Sequence, residues 1–120
     1  MKLSIIIPVY NEIKTISLIL EKINNLKLIY NIEKEVLVVD DASSDGTEKI
    51  LEKIQNKNKF QNFKFIFKNK NLGKGDSQKI AIPLCTGDFT IIQDADLEYN
   101  VNDINSLLRL LIDNNYDAVL

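Results

Sequence analysis

Three acids stand at alternating positions in the stretch Gly87 to Tyr99 (GDFTIIQDADLEY): Asp94, Asp96 and Glu98. An extended backbone sends alternate side chains to the same side, so the three carboxylates would converge. Carboxylates held that close repel strongly unless a cation lies between them. The donors are all oxygen and the chain has no histidine, which suits a hard ion such as Mg²⁺ or Mn²⁺ rather than Zn²⁺. The same acids also fit a solvated polar loop that follows a core strand and caps the next helix, because acid clusters mark sites only as a tendency.

Other polar groups recur at comparable places. Tyr10, Asn11 and Glu12 follow the apolar run Leu3 to Val9. Asp40 and Asp41 close the run EVLVVD and lead into the turn formers Ala42-Ser43-Ser44-Asp45-Gly46. A basic turn with two glycines, Asn69 to Asp76, contains Gly73-Lys74-Gly75. Asp45, with Glu48 three residues on, reads as a helix cap and turn former. Asp41 reads as a ligand contact, since Asp40 is already available to the turn. Lys74 fits a ligand contact and an exposed loop lysine equally well.

The elements that position these groups follow from hydrophobic periodicity. Leu3 to Val9, Glu35 to Asp40, Phe63 to Lys68 and Phe89 to Gln93 read as strands. The first two are apolar enough to be covered on both faces, and the third belongs nearer the sheet edge. Pro8 lacks a donor and belongs at its strand's end. Helices are expected from Ile13 to Leu26 with Asn11 as N-cap, from Thr47 to about Asn56, and after an N-cap at Asn100 through Ile104, Leu107, Leu108, Leu111 and Ile112. Ser77 to Cys85 reads as a weak helix that Pro83 closes. Asp117 to Leu120 reads as the start of a fifth strand. Alternating strands and helices imply an α/β fold, a mainly parallel sheet with helices on both faces. Ligands of such sheets bind at the carboxyl ends of the strands, where all the polar clusters above fall.

Composition bounds the rest. The 120 residues suffice for one domain. With 45% hydrophobic and 27% charged residues the chain is ordinary for a globular protein, and its net charge of −2 gives no footing for nucleic acid or an acidic membrane surface. Cys85 is the lone cysteine, so no intrachain disulfide forms, which suits the cytosol. No apolar run is long enough to span a membrane, and the N-terminus is no signal peptide. The chain stops on Ala118-Val119-Leu120 without a turn, as expected of the front part of a longer protein.

SIIIPVYNE, VLVVDDASSDGT, NLGKG and GDFTIIQDADLEY together resemble, in this order, the family 2 glycosyltransferases. The closest likeness is to the polyprenyl-phosphate or dolichyl-phosphate sugar transferases. The resemblance covers essentially residues 1–120 and implies the A-type fold, a Rossmann-like three-layer sandwich binding a nucleoside-diphosphate sugar. It implies that Pro8, Tyr10 and Glu12 hold the base and ribose, and that Val39, Asp40 and Asp41 add nucleotide contacts. It implies that Asp94, Ala95 and Asp96 form the D-x-D motif at the ribose and a metal-bound diphosphate, with Glu98 a further metal ligand. Lys74 joins the donor-binding set, and Asp94, Asp96 and Glu98 form the metal set for Mg²⁺ or Mn²⁺. The implied activity is inverting transfer of a hexose from a UDP- or GDP-linked donor to an acceptor such as a polyprenyl phosphate, at the cytoplasmic face of a membrane. The general base is expected beyond Leu120, so no catalytic residue is assigned. Lys79 stands where the family carries an Arg, and Lys lacks Arg's bidentate reach; Pro83 is also unusual.

Three other functions compete with this one. A non-catalytic nucleotide-sugar-binding or regulatory module fits a chain holding half a site. A phospho-acceptor receiver would place its acid pair after the first strand, not the second. A dinucleotide-binding dehydrogenase needs G-x-G-x-x-G after the first strand, which is absent.

Overall fold

The N-terminal apolar run becomes β1, Lys2–Val9, an interior strand with a neighbour on each side. The computed structural model describes residues 1–96 and 101–114. Glu98, the cap expected at Asn100 and the strand expected at 117–120 lie outside the described residues. β1 runs parallel to β2, Glu33–Asp40, along its whole length and to β4, Phe89–Ile92, from Leu3 to Ile6. β3, Phe63–Phe67, pairs with the far side of β2. The sheet order is β3-β2-β1-β4, every pairing parallel, as strands alternating with helices require.

Pro8 sits where its missing donor does no harm. The Ile6 carbonyl accepts from Gln93 N–H at 2.9 Å, and the Val9 carbonyl accepts from Asp41 N–H at 2.8 Å. Backbone groups alternate sides along a strand, so Pro8 turns the same way as Ile6, past the last residue of β4.

Both faces of the sheet are covered. Leu3, Ile5, Ile7 and Val9 share one face and pack with Ile16, Ile19, Leu20 and Ile23 of α1, Ile16–Asn25. Leu51 and Ile54 of α2, Thr47–Asn56, and Ile104 and Leu108 of α4, Asp103–Asp113, join the same core. On the opposite face Ile6, Leu37 and Val39 lie under Ala81 of α3, Lys74–Ala81. The result is the expected three-layer α/β sandwich.

Three helix starts differ from expectation; α4 starts at Asp103, with Asn102 rather than Asn100 in the cap position. α1 begins at Ile16, with Thr15 rather than Asn11 in the cap position. Asn11 instead takes a left-handed backbone (φ 53°), and its side-chain carbonyl accepts from Ser44 N–H at 2.8 Å. Asn tolerates that conformation better than most residues, and here it ties the β1 exit to the β2 exit. α3 begins at Lys74 rather than Ser77. Gly73, at φ 96°, makes the turn into it, a conformation that side chains resist. Pro83 falls in a 3-10 turn, Ile82–Leu84, directly after α3, and ends the helix as expected.

Candidate functional site

A cleft of about 190 Å³ opens at the carboxyl ends of β1, β2 and β4, against the start of α3. Small-molecule sites usually measure roughly 300–1,000 Å³, so these residues form a floor and one wall rather than an enclosure. It lies between β1 and β4. Successive strands step away from β1 through β2 to β3 and then return to its other side. That reversal is the switch point where open α/β sheets bind ligands.

The β1 exit contributes Pro8, Tyr10 and Glu12. The Tyr10 ring is 44% exposed. The Glu12 carboxylate accepts from the Thr15 hydroxyl at 3.0 Å, and that hydroxyl also lies 3.2 Å from the Ala95 carbonyl oxygen. Thr15 therefore couples the β1 exit to the β4 exit. Glu12 N–H donates to Thr47 Oγ1 at 3.0 Å, which fixes its backbone against α2. Asp45 shapes the turn but does not hold the cap position expected of it, which Gly46 takes; it accepts from Thr47 N–H at 3.0 Å and Ile13 N–H at 3.2 Å.

The β2 exit contributes Asp41 to the cleft lining; Val39 and Asp40 are placed elsewhere. Val39 is fully buried in the core beneath α3. Asp40, 1% exposed, accepts from the Ser43 hydroxyl at 2.6 Å and from Ser43 N–H at 3.3 Å, so it shapes the turn. Asp41 accepts from Leu72 N–H at 3.0 Å and Gly73 N–H at 2.9 Å, and it pairs with Lys68 at 2.6 Å. Burial by itself would push the Asp41 carboxyl up, but the Lys68 ammonium and the two backbone donors hold it below the usual range.

The β4 exit contributes Asp94, Ala95 and Asp96, and α3 contributes Lys74 and Ser77. Lys74 forms an ion pair with Asp94. Ser77, in the cleft lining, and Lys68, which donates to it at 3.3 Å, carry no site signal in the sequence. Ser77 looked like an ordinary helix-start serine. Lys68 stands at the end of the third expected strand, and period two places it on the face of Ile66, which packs under α3.

Among the described residues no three acidic, cysteine or histidine side chains form a group able to hold a metal ion. Glu98, the third member of the expected set, lies outside them. Asp94 and Asp96 line the same cleft, and as oxygen donors they fit a hard divalent ion.

The model of Glycosyl transferase family 2 matches residues 4–120. The chain belongs to this family. Among curated relatives, this family 2 chain is 34% identical over 119 residues to the undecaprenyl-phosphate 4-deoxy-4-formamido-L-arabinose transferase of Proteus mirabilis, covering 98% of the chain and 36% of that protein. Among solved structures it is similar to the Pyrobaculum calidifontis mannosyltransferase in complex with GDP-Man and Mn²⁺. The TM-score is 0.77 at 27% identity, over 92% of this chain and 32% of that one. S. aureus TarS 1-349 in complex with UDP-GlcNAc matches with a TM-score of 0.73 at 32% identity, over 96% of this chain and 32% of that one. The family 2 chain thus spans about a third of the length of these three proteins, and its fold is the expected A-type glycosyltransferase fold. Among the described residues no helix is long and apolar enough to cross a membrane.

Proposed function

We propose that this chain is the donor-binding part of a metal-dependent, inverting glycosyltransferase. It would serve transfer of a hexose from a nucleoside-diphosphate sugar to an acceptor such as a polyprenyl phosphate, at the cytoplasmic face of a membrane. The observation that carries this reading is the convergence of Tyr10, Glu12, Asp41, Lys74, Asp94 and Asp96 in one cleft at the sheet's switch point, in a chain of family 2.

The roles follow from chemistry. The exposed Tyr10 ring offers an apolar face for a nucleobase. Glu12 and Asp94 suit ribose hydroxyls, because carboxylates accept strong hydrogen bonds. The Lys74 ammonium, at the start of α3, can offset diphosphate charge. Asp94 and Asp96, with Glu98, would hold Mg²⁺ or Mn²⁺, which when bound neutralises charge developing on the leaving diphosphate. We assign no general base to these residues. The GDP-Man and UDP-GlcNAc of the two similar structures leave both bases as candidates for the donor.

Titration calorimetry with UDP and with GDP, in Mn²⁺ and then in excess chelator, tests the reading. Binding of one nucleotide that needs the metal is expected. Equal binding in chelator would overturn the metal dependence, and no binding of either nucleotide would overturn the donor site.

A further inference from the structure

We infer that Lys68 is a positioning residue for the cleft: its buried ammonium ties the β2 exit to the first turn of α3 and so sets where Lys74 and Ser77 stand. This rests on the reading of the cleft as a donor site.

The Lys68 side chain is 5% exposed, unusual for lysine. Its ammonium meets Asp41 Oδ1 at 2.6 Å, Asp76 Oδ2 at 2.6 Å and Ser77 Oγ at 3.3 Å. An ammonium has three donors, and all three are directed at groups on the β2 exit or on α3. Asp76 lies in the first turn of α3, where negative charge is favoured by the helix dipole. Lys68 N–H, meanwhile, donates to the Asp40 carbonyl at 2.9 Å. One residue thus clamps the β2 exit through both its backbone and its side chain.

The consequence falls on Asp41. A carboxylate has about four acceptor positions. Leu72 N–H and Lys68 take those on Oδ1, and Gly73 N–H takes one on Oδ2. A single position on Oδ2 remains for a ligand, and its direction is set by the three internal donors. Remove the ammonium and the Asp41 carboxylate, 5% exposed, is left beside that of Asp76, 34% exposed, with no cation between them, which favours protonation or separation. Separation would carry the Leu72–Gly73 turn and Lys74 with it. Nothing in this network requires Lys68 to touch the nucleotide.

The test uses the whole chain with Lys68→Met, which keeps the apolar stem, and Asp76→Asn, which leaves the Lys68–Asp41 pair in place. Backbone amide resonances of Leu72, Gly73, Lys74 and Ser77 are recorded without ligand, and UDP and GDP affinities are measured in Mn²⁺. Both variants should shift those four amides while leaving β1 amides unmoved. Lys68→Met should weaken nucleotide binding by about tenfold or more, the scale of one charge-assisted hydrogen bond, and Asp76→Asn by less. Unmoved amides, or wild-type affinity in folded Lys68→Met, would overturn the inference. If Lys68→Met does not fold, wild-type amides or affinity in Asp76→Asn overturns it instead. Failure of the unsubstituted chain to bind either nucleotide would overturn the donor-site reading and the inference with it.

Discussion

Lys74 and Asp94 form an ion pair that joins the first turn of α3 to the exit of β4. Their side chains are 52% and 31% exposed, so the pair stabilises the fold by no more than about 1 kcal/mol. An ammonium held so lightly can leave Asp94 for a diphosphate at little cost. Lys74→Met should therefore leave the unfolding temperature nearly unchanged while lowering nucleotide diphosphate affinity about tenfold. Thermal unfolding and calorimetry on the same samples check the two halves together; loss of stability in step with affinity would count against this account.

Asp96→Asn keeps the shape of the cleft and removes one carboxylate charge. Nucleotide binding in Mn²⁺ should fall to the level seen in chelator, and binding in chelator should stay as in the unsubstituted chain. Calorimetry in both buffers gives the answer. A variant still strengthened by Mn²⁺ would show that Asp96 holds no metal.

At the opposite end of the sheet Glu35 ties three strands and the β4 approach. It accepts from the Ser4 hydroxyl at 2.6 Å, Lys64 at 2.9 Å, Thr86 N–H at 2.8 Å and the Thr86 hydroxyl at 2.9 Å. Burial works to raise its pKa, but these donors outweigh it and lower the carboxyl from 4.5 to about 2. A lowered folded-state pKa gives stability that is complete above the unfolded value. That stability is lost as pH falls through the folded value, here between 4.5 and about 2. The amount is on the order of 3 kcal/mol. Denaturant titrations from pH 6 to pH 2 should show this loss in the unsubstituted chain. Glu35→Gln should start lower and lack this component of the acid loss.

Two glycines should respond in opposite directions. A Cβ on Gly87 would lie 2.7 Å from both Ser4 N and Ser4 Oγ and 2.9 Å from the Lys2 carbonyl oxygen, and backbone cannot rotate out of the way. Gly87→Ala should cost about 1–3 kcal/mol. A Cβ on Gly75, inside α3, meets nothing within 4 Å, so Gly75→Ala should stabilise by roughly 0.5–1 kcal/mol. Denaturation midpoints of the two variants decide the matter, and equal shifts would contradict it.

The parts of this molecule legible in sequence are those dictated by local pattern. β1 and β2 are continuous apolar runs, and α2 and α4 follow helical spacing, so their existence could be read directly. The cluster at the strand ends could be read too, because strand exits in a parallel sheet share one rim. What escaped depends on partners distant in the chain. α3 starts at Lys74 because Asp41, more than thirty residues earlier, accepts the Leu72 and Gly73 amides; Gly73 and Gly75 on either side of Lys74 hide that start in the sequence. Asn11 looked like a cap because nothing nearby shows that Ser44 N–H would claim its side chain. The burial of Lys68 is not written in its neighbours, because its two counterions, Asp41 and Asp76, come from separate elements. Asp40 and Asp41 are neighbours of one residue type, yet strand alternation turns one into the Ser43 turn and the other toward Gly73.

β1 leaves the ribosome before β2, β3 and β4, yet it ends inside the sheet, between β2 and β4. Its Lys2 carbonyl waits for the N–H of Asp88, so one edge of this apolar strand stays unpaired until β4 has been made. Closing so long a loop is slow compared with local helix formation. Among these four strands the β1–β4 seam should therefore close last. Until then the growing polypeptide offers a sticky edge that a chaperone, or another copy of the nascent chain, could seize.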